Sequence, residues 1–346
     1  LRNPRAAMLP AIAALGGMIV PALIYTVFNL GGDGSGGWGI PMATDIAFAV
    51  GVLSLLGSRV PSPLKIFLLT LAIVDDLGAI IVIALFYTDS VSMGWLAVGA
   101  ALIAVTAIMK RSGIWFIPTY VLAGVALWYA VYQSGVHATI AGVIMGLMAP
   151  AKPLFQGETP EEALAPILEN PEPSAFEVKR AAFHVNESIS VAERLSGLLH
   201  PFTSFLIIPI FALANAGIEL SSDTISDALT AAPTLGVFFG LLVGKLVGIS
   251  LFTLTAVKLG ISPLPAGTRP AHIFAVGSLA GIGFTVALFV TSLSFDDPAL
   301  QDQAKMGILA ASLVASIVGL LMLKAATKGQ PASGVGDGER ELVEAH

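Results

Sequence analysis

Two adjacent aspartates, Asp75 and Asp76, stand in the string AIVDDLGAII (72–81), which is otherwise apolar. Two more ionisable residues share that situation: Asp45 in GIPMATDIAFAVGVL and Lys245 in GLLVGKLVG. If these strings cross a bilayer, each charge costs about 2.5–3.5 kcal/mol at a helix centre unless it is paired or hydrated. Three acids and one base kept at that cost point to function more than to a single helix-locking ion pair. Carboxylates at mid-depth suit small hard cations, which take oxygen ligands. Burial of a carboxylate also favours its neutral, protonated form. Such a site holds a proton or a metal ion but not both, and swapping them couples opposing fluxes. An ammonium beside the pair sharpens the choice, because an arriving monovalent cation displaces it. Two titrating groups suggest more than one proton per monovalent cation, and so an electrogenic cycle.

The rest of the chain must position these groups in a membrane. Of its 346 residues, 55% are hydrophobic and only 12% charged, and the mean hydropathy is +0.86. This is the composition of a polytopic membrane protein. Apolar runs of roughly 20 residues, enough to cross a hydrocarbon core of about 30 Å as helix, recur along it. They are continuous instead of alternating at period two, so helices are the expected spanning form. Ten spans are expected: 8–28, 40–58, 63–87, 92–109, 114–132, 135–150, 199–217, 234–257, 271–293 and 304–324. Residues 1–150 hold six of them, and 199–324 the other four. Between these lies a polar linker, 151–198, rich in Glu and Pro, whose FEVKRAAFHVNESISVAERL reads as an amphipathic surface helix. Residues 325–346 read as a disordered tail.

Lys and Arg are retained on the cytoplasmic side of span ends. With the first span running outward, fifteen of the 17 basic residues fall inside and only Lys305 outside, while Lys245 lies within a span. The C-terminus is then cytoplasmic. The acidic outer loops, with Asp223 and Asp227 or Asp296 and Asp297, agree but add little. Cysteine is absent, which excludes disulfides and thiolate metal sites. The net charge of −6 arises mainly in loops and tail. Neither nucleic acid nor a cofactor is expected. GLLVGKLVG (240–248) lacks the Walker glycine spacing and has Leu246 where Ser or Thr is required, so ATP is not the expected energy source and an ion gradient is.

Depth brings the charges together. From Pro63 to Asp75, and from Pro233 to Lys245, is twelve residues, about 18 Å of helix, which puts both near the midplane. Adjacent helix positions differ by about 100°, so Asp75 and Asp76 should have different neighbours. Pro41 and the small residues around Thr44 and Asp45 predict a helix break near Ala43–Thr44–Asp45. Partly extended backbone there would carry Asp45 deeper than a helix counted from Trp38. A second glycine-interrupted span, GSLAGIGFTVALF (277–289), completes a pair of interrupted spans of the kind that faces a secondary-transporter site.

Six strings carry a closer likeness: ATDIAFAVGVLSLLGSRVP (43–61), KIFLLTLAIVDDLGAIIVIALFYT (65–88), SGVHATIAGVIMG (134–146), LIIPIFALANAGIEL (206–220), GKLVGISLF (244–252) and GIGFTVALFV (281–290). Over about residues 6–150 and 198–325 the chain resembles the NhaA family of bacterial Na⁺/H⁺ antiporters, itself a standard instance of inverted-repeat construction. The resemblance implies an all-α bundle with inverted repeats and two discontinuous crossing helices in the bacterial inner membrane. Na⁺ (or Li⁺) would leave in exchange for external H⁺, faster at alkaline pH. It implies that Asp76 is the primary Na⁺ or Li⁺ ligand and Asp75 the partner of Lys245. Thr44 and Asp45 match the unwound segment, where the acid offsets facing helix N-termini and the lysine facing C-termini. His137 matches a family histidine linked to pH response.

The family has twelve spans and the first two are not found here. The chain opens on Leu, which points to a truncated or processed protein, with dimer contact and part of pH sensing in doubt. A homodimer is therefore left open. Ser196 stands where some members carry an acid, and Glu193, one turn earlier, is the candidate substitute. The 151–198 insertion has no assigned role. Three other readings compete: a Na⁺-coupled symporter of related architecture, an intramembrane aspartyl protease and a non-transporting fragment. Against the protease, neighbouring aspartates cannot face each other across one water, and no G-x-G-D string occurs.

Overall fold

A computed structural model describes residues 4–88, 91–114, 116–154, 160–168, 170, 173–218 and 230–328. Every described regular element is helical. The outer-loop residues Asp223 and Asp227, part of the linker and residues 329–346 of the expected tail lie outside the described residues. The chain forms two units, Leu1–Ile83 with Phe211–His346, and Ala84–Ile210.

Among the described residues six helices are long and apolar enough to cross a membrane: Met8–Phe28, Ser62–Phe86, Met93–Arg111, Val191–Asn215, Ala232–Lys258 and Pro298–Ala326. Two bent pairs, Asp33–Met42 with Ile46–Ser54 at 46° and Pro270–Leu279 with Phe284–Ser294 at 50°, bring the number to eight if each pair is one span. The remaining two expected spans correspond to shorter helices, Ile117–Gln133 and Thr139–Met148. The first broken pair starts earlier than expected because Asp33–Met42 winds as a 3₁₀ helix through GSGGWGIP. Its break falls at Ala43–Asp45, and that of the second pair at Ala280–Gly283.

The first unit is built on one very close helix pair. The helix carrying Lys245 (Ala232–Lys258) has glycine at 236, 240, 244 and 248, one face at four-residue spacing. Such spacing lets membrane helices approach backbone to backbone, where van der Waals contact replaces the missing hydrophobic drive. The partner is the first helix, Pro4–Phe28. A Cβ on Gly248 would strike the Gly16 carbonyl, one on Gly16 would strike that of Gly248, and one on Gly244 would lie 2.8 Å from Pro21 Cα. Asn29, at the end of the first helix, ties the ends together by donating to Ala232 O at 3.1 Å. The Lys245 helix also contains a π-helical turn, Gly240–Gly244, immediately before the lysine. A turn wound i→i+5 shifts the register of the α-helical turns after it, and such turns recur at functional positions.

The second unit packs Met93–Arg111, Ile117–Gln133 and Thr139–Met148 around Leu127, Val131 and Ala141. Met93–Arg111 closes on Gly113 at φ 69°, where Ile114 N–H reaches back to Met109 O at 3.1 Å. Glycine takes this left-handed conformation without steric cost. The segment expected as a single amphipathic helix is two. Ala175–Glu187 starts on a capping box in which Ser174 and Glu177 satisfy each other's backbone N–H groups. After Ser188–Ser190 a new helix begins, Ser190 accepting from Glu193 N–H at 3.2 Å. This second helix runs unbroken into the apolar span ending at Asn215, so the span starts at Val191 instead of 199.

Replacing Gly248 by Val should force the first helix away from the Lys245 helix. Overpacking typically costs about 1–3 kcal/mol, so thermal unfolding in detergent should show a lowered Tm, with Gly248→Ala intermediate. An unchanged Tm for the valine variant would contradict the close packing.

Candidate ion site

Asp75 owes its position to the periodicity of its helix. On Ser62–Phe86 the buried residues are Leu64, Phe67, Leu68, Leu71, Ala72, Asp75, Ala79 and Ile83, a single stripe at helical spacing. Asp75 lies in the stripe and is fully buried, whereas Asp76, about 100° round the helix, is half-buried at its edge. The neighbouring acids thus acquire different surroundings. Asp75 Oδ2 accepts from Lys245 Nζ at 2.6 Å, both side chains fully inaccessible, and lies 2.7 Å from Thr44 Oγ1. Among the described residues Asp76 makes no ion pair, and its Oδ1 is enclosed without a hydrogen-bond partner, as is Asp75 Oδ1. Asp75, Lys245 and Asp45 all lie within electrostatic reach of Asp76.

The two helix breaks meet here. Asp45 N–H donates to Ile282 O at 2.6 Å, and Thr44 Oγ1 is 2.9 Å from Ala280 O. Thr44 has one hydroxyl hydrogen, so it serves Asp75 or Ala280 at any moment, not both. Four helix ends converge with their unpaired backbone groups and partial charges. The Asp45 carboxylate answers the two N-terminal ends. One oxygen accepts from Phe48 N–H at 3.1 Å, capping Ile46–Ser54, and the other accepts from Thr285 N–H at 3.0 Å and Thr285 Oγ1 at 2.5 Å, in the first turn of Phe284–Ser294. The C-terminal ends are answered by Lys245 Nζ, which donates to Met42 O, and by Thr44 facing Ala280 O. Acid sits at positive ends, and cation and hydroxyl at negative ends.

Thr44, Asp45, Asp75, Asp76 and Lys245 are therefore brought to one place. Two other candidates are not part of it; both lie in the second unit with surroundings of their own. His137 Nε2 is 2.7 Å from Tyr87 O, joining the turn before Thr139–Met148 to the end of Ser62–Phe86. Glu193 is an exposed residue in the first turn of Val191–Asn215, its N–H capped by Ser190. Sequence reasoning passed over Thr285 and the carbonyls of Met42 and Ala280. A threonine two residues after the GIG interruption was the available signal, but its partner is 240 positions away in sequence. Among the described residues no three His, Cys, Asp or Glu side chains are placed so that they could hold one metal ion together. A cation here would be cargo with few carboxylate ligands.

Paired interrupted helices that meet inside a helical membrane protein, with unpartnered carboxylate oxygens beside the meeting point, define a secondary-transporter architecture. A family described as Na⁺/H⁺ antiporter 1 matches residues 1–323. The chain is 48% identical over 327 residues to the Na⁺/H⁺ antiporter NhaA of Escherichia coli O157:H7, covering 94% of this chain and 76% of that protein. It is 45% identical over 344 residues to NhaA of Oleidesulfovibrio alaskensis (95% and 76%) and 43% identical over 331 residues to NhaA 3 of Frankia alni (96% and 72%). The chain belongs to the NhaA-type Na⁺/H⁺ antiporter family, whose members are transporters and not enzymes.

Lys245→Met should leave the Asp75 charge buried and alone, destabilising the protein by about 3–5 kcal/mol. Adding Asp75→Asn should restore much of the loss. Thermal unfolding of the two single variants and the double variant in detergent measures this coupling, and strictly additive effects would contradict the pairing.

Proposed function

We propose that this chain exchanges cytoplasmic Na⁺, or Li⁺, for external H⁺ across the bacterial inner membrane, with Asp76 as the exchanging carboxylate. The observation that carries the reading is an imbalance at the meeting of the breaks. Asp45 is matched by two helix N-termini and Asp75 by Lys245, while the half-buried Asp76 has, among the described residues, an enclosed Oδ1 with no hydrogen-bond partner. A proton or a small cation can neutralise it, and occupation by either excludes the other. Hard monovalent cations take oxygen donors, and Asp75 Oδ1 and Asp76 Oδ1 are both unengaged acceptors.

Lys245 gives the exchange its second step. A cation arriving between the carboxylates competes with the ammonium for Asp75, and Thr44, free to turn its single hydrogen from Asp75 to Ala280 O, follows the change. Movement of charge at both acids makes more than one proton per Na⁺ the natural stoichiometry, and the cycle electrogenic. Protons outcompete the cation when abundant, so exchange rises toward alkaline pH. Two interrupted helices that meet at their breaks are what inverted repeats would supply, and the one-sided distribution of Lys and Arg supports a cytoplasmic C-terminus. His137, whose Nε2 is 2.7 Å from Tyr87 O, is the candidate for pH response, and Glu193 stands as the acid nearest Ser196 on its helix.

Asp76→Asn keeps the size of the side chain and removes its charge. Reconstituted in proteoliposomes with an internal pH dye, it should lose Na⁺-dependent proton flux at all pH values while eluting as the parent protein does. Parent-like flux from this variant would refute the assignment. Co-transport of an organic solute with Na⁺ would favour a symporter instead.

A further inference from the structure

The helix Ala175–Glu187 lies in the part of the linker that the exchange reaction does not use. Its last residue and the first residue of the span Val191–Asn215 are separated by only Ser188–Ser190, at most about 14 Å of chain. Arg194, in the first turn of that span, holds Glu187 with two bonds of 2.8 and 2.9 Å, and Leu154 N–H donates to Glu187 O at 3.0 Å. The helix is thus fastened to the first turn of a helix long and apolar enough to cross the membrane. About 20 Å long, it is held at this end beside the headgroups.

One face explains why. Phe176, Lys179, Arg180 and Phe183 follow one another at i, i+3, i+4 and i+7 and are all exposed, Phe176 at 74% and Phe183 at 51%. The buried Ala181 is directed away from this stripe. Glu177, the acid in the first turn, is spent on the cap: Ser174 donates its N–H at 2.7 Å and its hydroxyl at 2.8 Å, which holds the Glu177 carboxyl below the usual carboxylate range. Two aromatic rings flanked by an arginine and a lysine form the pattern of a helix lying in the interface, rings toward the acyl boundary and cations among anionic headgroups. The helix Pro160–Leu168, formed within the acidic run GETPEEALAPILENPE, packs against Ala175–Glu187, and the same headgroups would hold it on the side away from the membrane.

We propose that Ala175–Glu187 is an interfacial anchor that docks on the anionic lipid surface around the Val191–Asn215 span, pinning the linker to the membrane. This is independent of the exchange chemistry, since none of its residues belongs to the ion site.

The chain has no cysteine, so Phe176→Cys supplies a single thiol for an environment-sensitive fluorophore on the whole protein in lipid nanodiscs. Quenching by neutral acrylamide reads its exposure to water, and Na⁺-dependent proton flux of the same variant in proteoliposomes reports folding. In nanodiscs containing phosphatidylglycerol the label should be shielded. It should become several-fold more quenchable in phosphatidylcholine alone, and equally so in phosphatidylglycerol when Lys179→Glu and Arg180→Glu are added. Equal quenching under all three conditions would overturn the proposal. So would equal shielding in detergent, which would assign the cover to the protein itself or to a second copy.

Discussion

Four helix ends brought together away from water impose one constraint: their partial charges must be met by side chains, because no solvent is there to meet them. The Asp45 carboxylate does this at the two positive ends, and Lys245, with Thr44, at the two negative ones. Much of the first unit is arranged to bring those few atoms to that place. The lysine reaches the break only because its helix lies against the first helix at glycine distance, its stem running past Gly17. The π-helical turn just before it sets the direction in which the ammonium leaves the helix.

Compensation is also what makes the site usable. A buried ion pair alone is weak evidence of stability, since desolvation offsets much of the attraction. Here the Lys245–Asp75 pair is one member of a set in which a backbone carbonyl, a hydroxyl and a second carboxylate share the same few ångströms. Changing the charge at Asp76 therefore changes the balance felt by every other member. In the proposed exchange, a proton or a cation binding there would act on the junction of two interrupted helices. This is how a local ionic event can reach a conformational step.

The charged site was legible in the sequence to an unusual degree, for a physical reason. In an apolar chain a buried charge cannot hide: Asp45, Asp75, Asp76 and Lys245 stood out by residue type alone, and counting residues from Pro63 and Pro233 placed three of them at one depth. The first break was legible from Pro41 and the small residues after it. What could not be read was partnership. That Asp45 caps both half-helices depends on Thr285 and Phe48, and that Lys245 reaches Met42 O depends on backbone with no sequence signature. The amphipathic segment at 176–195 reads as one helix because its pattern continues through Ser188–Ser190, where two serines end one helix and start the next by hydrogen bonds that periodicity does not register. The glycine ladder at 236–248 was equally visible and was passed over, since glycine spacing acquires meaning only once Gly16 is known to face it.

The central claim is that one carboxylate cannot hold a proton and Na⁺ together, and the most direct measurement is Na⁺ binding to the purified protein by calorimetry at a series of pH values, in buffers of different ionisation enthalpy. By linkage, competition requires that each cation bound release protons and that apparent affinity weaken about tenfold per pH unit for each proton displaced on the acidic side. The account predicts that behaviour in the parent chain and its disappearance, together with binding, in Asp76→Asn. Na⁺ binding of constant affinity across the pH range, with no protons released, would contradict it.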